Sequence, residues 1–99
     1  MARRAAKRDS NERAIIDALE GAGCHVQQID ADDGAPDLVV TYYHCTGRWW
    51  LVYMEVKGPK GKLTPIQEQW WDAYGRVVGG SATAWIVRTV EEALDITGR

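Results

Sequence analysis

The sequence predicts a single α/β domain in which a mixed β-sheet is flanked by helices. Three strand-type segments follow an opening helix, and a second helix, a fourth strand and a short final helix complete the order α-β-β-β-α-β-α. The chain has 99 residues, of which 45% are hydrophobic and 26% are charged, which suffices for one core but not for two. We therefore expect residues 1–99 to form one domain, with residues 1–8 as a basic tail.

The first helix is predicted to begin near Asp9 or Ser10, because Asp9 and Glu12 have the spacing of a capping box. Gly21 and Gly23 are expected to end it. Its apolar residues recur at helical intervals, at Ile15, Ile16, Leu19 and Ala22.

Three strands are predicted next, over residues 24–30, 37–45 and 49–57. Turn-forming residues and Pro36 separate the first strand from the second, and a tight turn at residues 45–47 separates the second from the third. The third strand is rich in the aromatic and β-branched residues that suit a pleated surface.

The second helix has the most clearly marked start in the chain. Thr64 is a suitable N-cap, Pro65 suits the first helical position, and Gln67 completes a capping box. The apolar stripe of this helix is predicted at Ile66, Trp70, Ala73 or Tyr74, and Val77, with Gly79 and Gly80 ending the helix.

A fourth strand is predicted over residues 83–88, and Thr89 with Glu92 opens the short final helix. Because a helix connects the third strand to the fourth, we expect these two strands to be parallel. The three earlier strands form an antiparallel meander, so the sheet is predicted to be mixed.

The turn between the second and third strands decides which residues face each other. If residues 45–47 form a three-residue loop with Gly47 in the left-handed conformation, Asp37 lies opposite Glu55 on one face of the sheet. A two-residue loop would place Asp37 opposite Val56, on the other face. We predict the first register.

In that register, Asp37, Glu55 and Lys57 converge, because strand residues two apart share a face. Two neighbouring carboxylates repel each other, and a divalent cation between them removes this cost. The alternative is structural, with Glu55 and Lys57 as an ion pair and Asp37 as a turn residue. We favour a site for Mg²⁺ and a water beside a phosphate, because the structural alternative does not explain the convergence.

The sequence Pro36-Asp37, followed by Glu55-Val56-Lys57, resembles the PD-(D/E)xK nuclease superfamily. The segments GAPDLVV, YMEVKGPKGKLTPIQEQWWD and AWIVRTVEEAL are similar, more narrowly, to the stand-alone VRR-NUC domains of phages and bacteria. The resemblance covers about residues 12–94 and implies a restriction-endonuclease-like α-β-β-β-α-β core with a mixed central sheet flanked by helices.

The resemblance implies a metal-dependent DNA endonuclease. Asp37, Glu55 and the backbone carbonyl of Val56 would hold Mg²⁺, with Mn²⁺ as a substitute, and Lys57 would orient or deprotonate the attacking water. It also implies a homodimer that acts on Holliday junctions or other branched DNA, in the cytoplasm of a bacterium or of a phage-infected cell.

Two further polar residues have two possible roles each. Glu12 shares a helix face with Ile15 and Ile16, where a buried carboxylate requires a partner. The resemblance implies that Glu12 reaches the metal, often through water, whereas its spacing from Asp9 allows a capping role. Gln67 lies beside the site according to the resemblance, and we favour that role over a purely capping one.

Two basic clusters are candidates for contacts with DNA phosphates. They are Arg3, Arg4, Lys7 and Arg8 in the tail, and Lys60 and Lys62 in the segment GPKGK after the third strand. The alternative for both is ordinary solvent exposure. The net charge of -2 argues against a protein that coats nucleic acid by charge alone.

Several other classes of protein are disfavoured. No apolar run approaches the roughly 20 residues of a membrane span, and the N-terminus lacks the apolar stretch of a secretory signal, so a cytoplasmic protein is expected. GPKGK lacks the spacing of a nucleotide-binding P-loop, so no nucleotide cofactor is expected. Cys24 and Cys45 are too few for a disulfide framework and are interpreted as buried thiols.

Cys24-His25 and His44-Cys45 suggest a zinc site, but adjacent strand residues point to opposite faces, which disfavours one tetrahedral site. Two alternative functions remain open. One is a DNA-binding module without catalysis. The other is a protein-interaction subunit, because five tryptophans cannot all be buried in one small core.

Overall fold

The computed structural model describes residues 10–30, 33–74 and 82–99. Seven elements follow the predicted order, and this confirms the α/β class. They are α1 (Glu12–Gly21), β1 (His25–Gln28), β2 (Leu38–His44), β3 (Arg48–Val56), α2 (Pro65–Tyr74), β4 (Ala82–Val87) and α3 (Val90–Ile96).

The four strands form one mixed sheet in the order β1-β2-β3-β4. β1 pairs antiparallel with β2, and β2 pairs antiparallel with β3. β4 runs parallel to β3, as expected when a crossover that contains α2 joins the two strands.

The register of the β2-β3 hairpin is the one predicted from a three-residue turn. Leu38 pairs with Met54, and His44 pairs with Arg48. Gly47 has φ of 93°, and its N–H donates to the His44 carbonyl at 2.9 Å, which closes the turn. If the same pairing continues to the residue before Leu38, Asp37 lies opposite Glu55.

The core lies on one side of the sheet, under α1 and α3. The buried residues of α1 that reach this core are Ile15, Ile16 and Leu19, and Ala93 of α3 packs with them. The sheet contributes alternate residues, as its period of two requires: Leu38, Val40, Tyr42, Val52, Met54, Val56 and Val87. The opposite face is therefore the one that carries Glu55 and Lys57.

The start of α1 differs from the prediction. The N-cap is Asn11, and Glu12 is the first helical residue, so Glu12 does not occupy the capping-box position expected relative to Asp9. Asp9 and the tail at residues 1–8 lie outside the described residues. The Asn11 side chain makes no cap bond, and its amide NH₂ donates to the carbonyls of Lys57 at 3.3 Å and Arg88 at 2.8 Å.

The start of α2 is confirmed, but its predicted stripe is not buried. The Thr64 hydroxyl accepts from the Gln67 N–H, and the Thr64 N–H donates to the Gln67 side chain, which is a capping box. Ile66 is 46% exposed and Tyr74 is 61% exposed. Val77, Gly79 and Gly80 lie outside the described ranges. The ring of Trp70 packs against Tyr53 of the sheet, with 5.5 Å between the ring centroids.

The final helix begins as predicted. Thr89 is its N-cap, and the Thr89 hydroxyl accepts from the Glu92 N–H. No helix within the described ranges has the length and apolar character that crossing a membrane requires.

Candidate active site

Asp37, just before β2, is held by hydrogen bonds from the ends of β1 and β3, the two neighbouring strands. Its backbone carbonyl accepts from the Ile29 N–H at 2.7 Å, just after β1. Its carboxylate accepts from the Val56 N–H at 2.9 Å, at the end of β3. The side chain is buried. Because one carboxylate oxygen bonds to the peptide between Glu55 and Val56, Asp37 points towards β3 and towards the end of the strand that carries Glu55.

Glu55 and Lys57 are joined by a third side chain. The Gln67 amide NH₂ donates to a Glu55 carboxylate oxygen at 3.0 Å, and the Lys57 ammonium donates to the Gln67 side-chain carbonyl at 2.8 Å. Lys57 also lies 3.7 Å from the same Glu55 oxygen. Glu55 is only 1% exposed, so this pairing occurs in a poorly solvated environment.

The four residues Asp37, Glu55, Lys57 and Gln67 are therefore brought to one end of the hairpin. Gln67 is both a cap and a neighbour of the site, because its carbonyl accepts from Thr64 N–H and from Lys57. The two roles that the sequence left open for Gln67 are compatible, since the capping bond holds the amide in place.

The donor set suits a small hard cation. No three His, Cys, Asp or Glu side chains gather closely enough to hold a metal ion within the parts of the chain that the structure describes. Asp37 and Glu55 supply two carboxylates, and Mg²⁺ commonly binds through one or two carboxylates while it keeps several waters. Two carboxylates are therefore consistent with a divalent cation that keeps several of its own waters.

Glu12 has the partner that its burial requires. It is 3% exposed, and its carboxylate accepts from the Gln28 amide at 3.0 Å. Gln28 pairs with Leu38, which belongs to the core, so this contact lies on the face of the sheet that α1 covers. A contact from Glu12 to a metal, directly or through water, stays a prediction.

Gly34 lets the first turn of α2 approach the loop before Asp37. Its φ is +88°, and a Cβ at this position would lie 2.3 Å from the Ile66 carbonyl oxygen. Only glycine tolerates both the backbone conformation and the contact. The sequence predicts a turn in this segment, but the contact between Gly34 and α2 depends on tertiary structure.

Arg88 is a second residue that sequence reasoning missed. One guanidinium nitrogen donates to the carbonyls of Gly58 at 2.6 Å and Gly61 at 2.8 Å. These carbonyls belong to the loop that carries Lys60 and Lys62, both of which are exposed. The other predicted DNA contacts, Arg3, Arg4, Lys7 and Arg8, lie outside the described residues.

The geometry does not assemble the alternative zinc site. Cys24 is buried, whereas Cys45 is exposed in the turn, which corrects the expectation that both thiols are buried. The imidazole of His44 stacks on Trp50 with 4.4 Å between ring centroids, and that of His25 lies 5.9 Å from Trp49. The four side chains are thus divided between the core, the turn and two aromatic contacts.

The tryptophans are distributed as the composition predicted, with none in the fully buried core. Trp49 is 56% exposed beside the β2-β3 turn, and Trp85 is 47% exposed on β4. Trp70 contacts Trp71 and Tyr74 on α2, with centroid separations of 5.8 and 5.5 Å. On α2, Trp70 and Trp71 are half-buried and Tyr74 is exposed.

Comparisons with known proteins agree with this fold. No protein-family model matches the sequence, and no curated protein matches it. The structure is similar to a solved structure described as a VRR_NUC domain, with a TM-score of 0.64 and 19% sequence identity over 92% of this chain and 98% of that chain. At this identity the likeness concerns the fold, and at that level it confirms the predicted resemblance and the restriction-endonuclease-like architecture.

Proposed function

We propose that this chain is a metal-dependent endonuclease of the VRR-NUC type that hydrolyses phosphodiester bonds in DNA. The observation that carries the proposal is a set of contacts at the open end of the β2-β3 hairpin, away from the turn. Asp37 bonds to the Val56 N–H, and Glu55 is joined to Lys57 through Gln67. These contacts bring two carboxylates and a cationic amine to the same end of the β2-β3 hairpin, which supports a metal-assisted hydrolysis of a phosphodiester.

Asp37, Glu55 and the Val56 carbonyl would hold Mg²⁺, with Glu12 contributing through a water. Mn²⁺ would substitute, because it accepts the same oxygen ligands. When bound, the ion supplies polarisation of the scissile phosphate and a lower pKa for a coordinated water.

Lys57 has two functions in this proposal. Its side chain orients the attacking water or, as the neutral amine, helps to remove its proton. As the ammonium, it places positive charge where the phosphate gains negative charge in the transition state. The Lys57 ammonium donates to the side-chain carbonyl of Gln67 at 2.8 Å, and this bond limits the rotamers of the flexible lysine.

The substrate is proposed to be branched DNA, such as a Holliday junction, in the cytoplasm of a bacterium or of a phage-infected cell. The exposed Lys60 and Lys62 bind backbone phosphates next to the site, and the tail residues Arg3, Arg4, Lys7 and Arg8 extend this contact. Phosphate contacts of this kind position DNA without reading its sequence.

The active form is proposed to be a homodimer, which presents two sites to two DNA strands. α2 supports this, because the helix has no buried residue and its Ile66 and Tyr74 side chains are 46% and 61% exposed. An exposed stripe of large apolar side chains typically marks an interaction surface.

The experiment that tests the proposed function is incubation of the protein with labelled linear, flap and four-way DNA in Mg²⁺, Mn²⁺ or EDTA. We expect cleavage with either ion, none in EDTA, and preference for the branched molecules. The variant Asp37→Asn should lose cleavage while it retains or gains DNA affinity, because a negative charge near the phosphate is removed. Undiminished cleavage by Asp37→Asn would eliminate the site, and DNA binding without cleavage by the unaltered protein would favour a non-catalytic module.

A further inference from the structure

The loop that follows β3 is closed by a turn and held by a side chain from beyond β4. The Gly61 N–H donates to the Gly58 carbonyl at 3.1 Å, so residues 58–61 form a turn with Lys60 at its corner. The Arg88 guanidinium bonds to the same Gly58 carbonyl and to that of Gly61. A single charged group thus fixes both ends of the turn.

Arg88 is itself held on both sides. Its N–H donates to the Glu92 carboxylate of α3 at 2.7 Å, and its carbonyl accepts from the Asn11 amide at 2.8 Å. The same Asn11 amide reaches the Lys57 carbonyl at 3.3 Å. The backbone of Arg88 is therefore anchored to the starts of two helices, and its side chain spans from there to the loop.

The turn lies directly against the candidate site. A Cβ added at Gly61 would lie 3.3 Å from both Cβ and Cδ of Lys57, so the turn packs on the aliphatic part of this lysine. Bonds from a guanidinium to carbonyl oxygens are charge-assisted and stronger than neutral ones. Without them, two carbonyls of a glycine-rich loop would have only water and the turn bond to restrain them.

We infer that Arg88 is a positioning residue, which holds the turn Gly58–Gly61 so that Lys60 and Lys62 meet DNA phosphates at the mouth of the site. This inference rests on the proposed function. It assigns a role to a residue that touches neither DNA nor the metal ligands. A preformed phosphate-binding loop loses less conformational entropy on binding than one that must be ordered by DNA.

The test is a mutant cycle read by DNA affinity in EDTA, where no cleavage occurs. The variants are Arg88→Met, the double variant Lys60→Met/Lys62→Met, and the triple variant that combines them. Arg13→Met is the matched control, because Arg13 is exposed, lies on α1 and pairs only with Asp17 within the described residues. For each protein, the logarithm of the affinity is measured against the logarithm of the salt concentration.

Each lysine that loses its phosphate reduces the salt slope by about 1. We therefore expect Arg88→Met to reduce the slope by about 1 or more, and the triple variant to match the Lys60→Met/Lys62→Met double variant. Arg13→Met should leave the slope unchanged. Amide exchange at Gly61 should also be faster in Arg88→Met, which shows that the turn has loosened.

Two results would overturn the inference while the proposed function stands. One is an Arg88→Met protein with the unaltered slope. The other is a triple variant whose slope falls below that of the double variant, since Arg88 would then contact phosphate by itself. An unaltered protein that binds no DNA in this assay would overturn the inference, and one that also cleaves no DNA in Mg²⁺ would overturn the proposed function as well.

Discussion

Gln67 is the residue through which the acidic and basic parts of the candidate site contact each other. Its amide donates to Glu55, and its carbonyl accepts from Lys57 and from the Thr64 N–H. An amide is suited to this position because it offers both donors and an acceptor without adding charge. The two charged side chains are thereby held at fixed separations.

The first prediction concerns this bridge. Gln67→Ala should slow cleavage by about 10- to 100-fold, which is typical when a residue that orients a catalytic group is removed. Gln69→Ala is the control, because Gln69 is exposed on the same helix and has the same side chain. Both rates are measured under single-turnover conditions with saturating DNA. Equal rates for Gln67→Ala and the control would contradict the bridging role.

A second prediction concerns Tyr42 and alkaline pH. Burial raises the pKa of the Tyr42 phenol above 10.0, the nearby Cys24 raises it further, and Arg99 opposes the shift. The folded state therefore keeps the phenolic proton at pH values where the unfolded chain has lost it. The stabilising contribution is complete below pH 10.0 and is lost as the pH rises through the folded-state pKa.

Tyr42→Phe should accordingly show a shallower fall in the free energy of unfolding above pH 10.0 than the unaltered protein. Below that pH it should lose only about 1 kcal/mol, because the bond from the phenol to the Ile96 carbonyl is long at 3.4 Å. Tyr43→Phe is the control, since Tyr43 is 54% exposed. Urea unfolding at a series of pH values gives the free energy of unfolding of each protein. If this free energy falls equally steeply above pH 10.0 in Tyr42→Phe and in the unaltered protein, the raised pKa of Tyr42 is refuted.

At the scale of elements, the site is built where the loop before β2, the end of β3 and the start of α2 meet. Asp33 shapes the loop, because its carboxylate accepts from the Ala35 N–H at 3.1 Å. Gly34 then passes against the first turn of α2, next to Ile66 and Gln67. The position of Gln67 therefore depends on a glycine thirty-three positions earlier in the numbering.

The third prediction tests this close approach. Gly34→Ala should reduce stability by about 1–2 kcal/mol through its positive φ and should also displace the start of α2, which lowers cleavage. Gly23→Ala is a matched control, because Gly23 has φ of +96° but nothing within 4 Å of the added Cβ. Both variants should lose stability in thermal unfolding, and only Gly34→Ala should lose cleavage at a temperature where both are folded. Full cleavage by Gly34→Ala would show that the approach does not position Gln67.

How far the sequence predicted these elements depends on whether local chemistry decided them. The register of the hairpin was predictable because the conformation of Gly47 in a three-residue turn fixes it. The start of α2 was predictable from Thr64, Pro65 and Gln67 for the same reason. The convergence of Asp37 with the end of β3 followed from that register.

The features that the sequence missed depend on contacts distant in the chain. Asn11 is the N-cap of α1, yet its amide bonds to carbonyls at residues 57 and 88 rather than to its own helix. Arg88 was assigned to a strand, whereas its side chain holds a loop. The apolar stripe of α2 was predicted, but helical periodicity alone does not show whether such a stripe is buried in the protein's own core.

At the scale of the whole molecule, the sheet divides the protein into two unequal sides. α1 and α3 pack on one face and form the core with it. The other face carries Glu55 and Lys57, and α2 reaches it mainly through Gln67 and Trp70. In the proposal above, DNA binds at this face of the sheet and a second subunit binds at α2.

The fourth prediction tests the dimer. The double variant Ile66→Gln/Tyr74→Gln should be monomeric at concentrations where the unaltered protein is dimeric, because it removes large apolar side chains that are 46% and 61% exposed. Tyr43→Gln/Trp49→Gln is the matched control beside the β2-β3 turn, with exposures of 54% and 56%. Sedimentation velocity gives the mass of each. Dissociation of the control and not of the α2 variant would place the interface on the hairpin instead.

The central claim is that the ammonium of Lys57, held beside Glu55 by Gln67, acts in metal-dependent cleavage of DNA. The most direct measurement is the single-turnover cleavage rate of labelled four-way DNA by Lys57→Ala in saturating Mg²⁺, with DNA affinity measured in parallel. The account predicts a rate about 100- to 1000-fold below that of the unaltered protein, with affinity largely retained. A rate within a few-fold of the unaltered protein, at equal DNA occupancy, would contradict it.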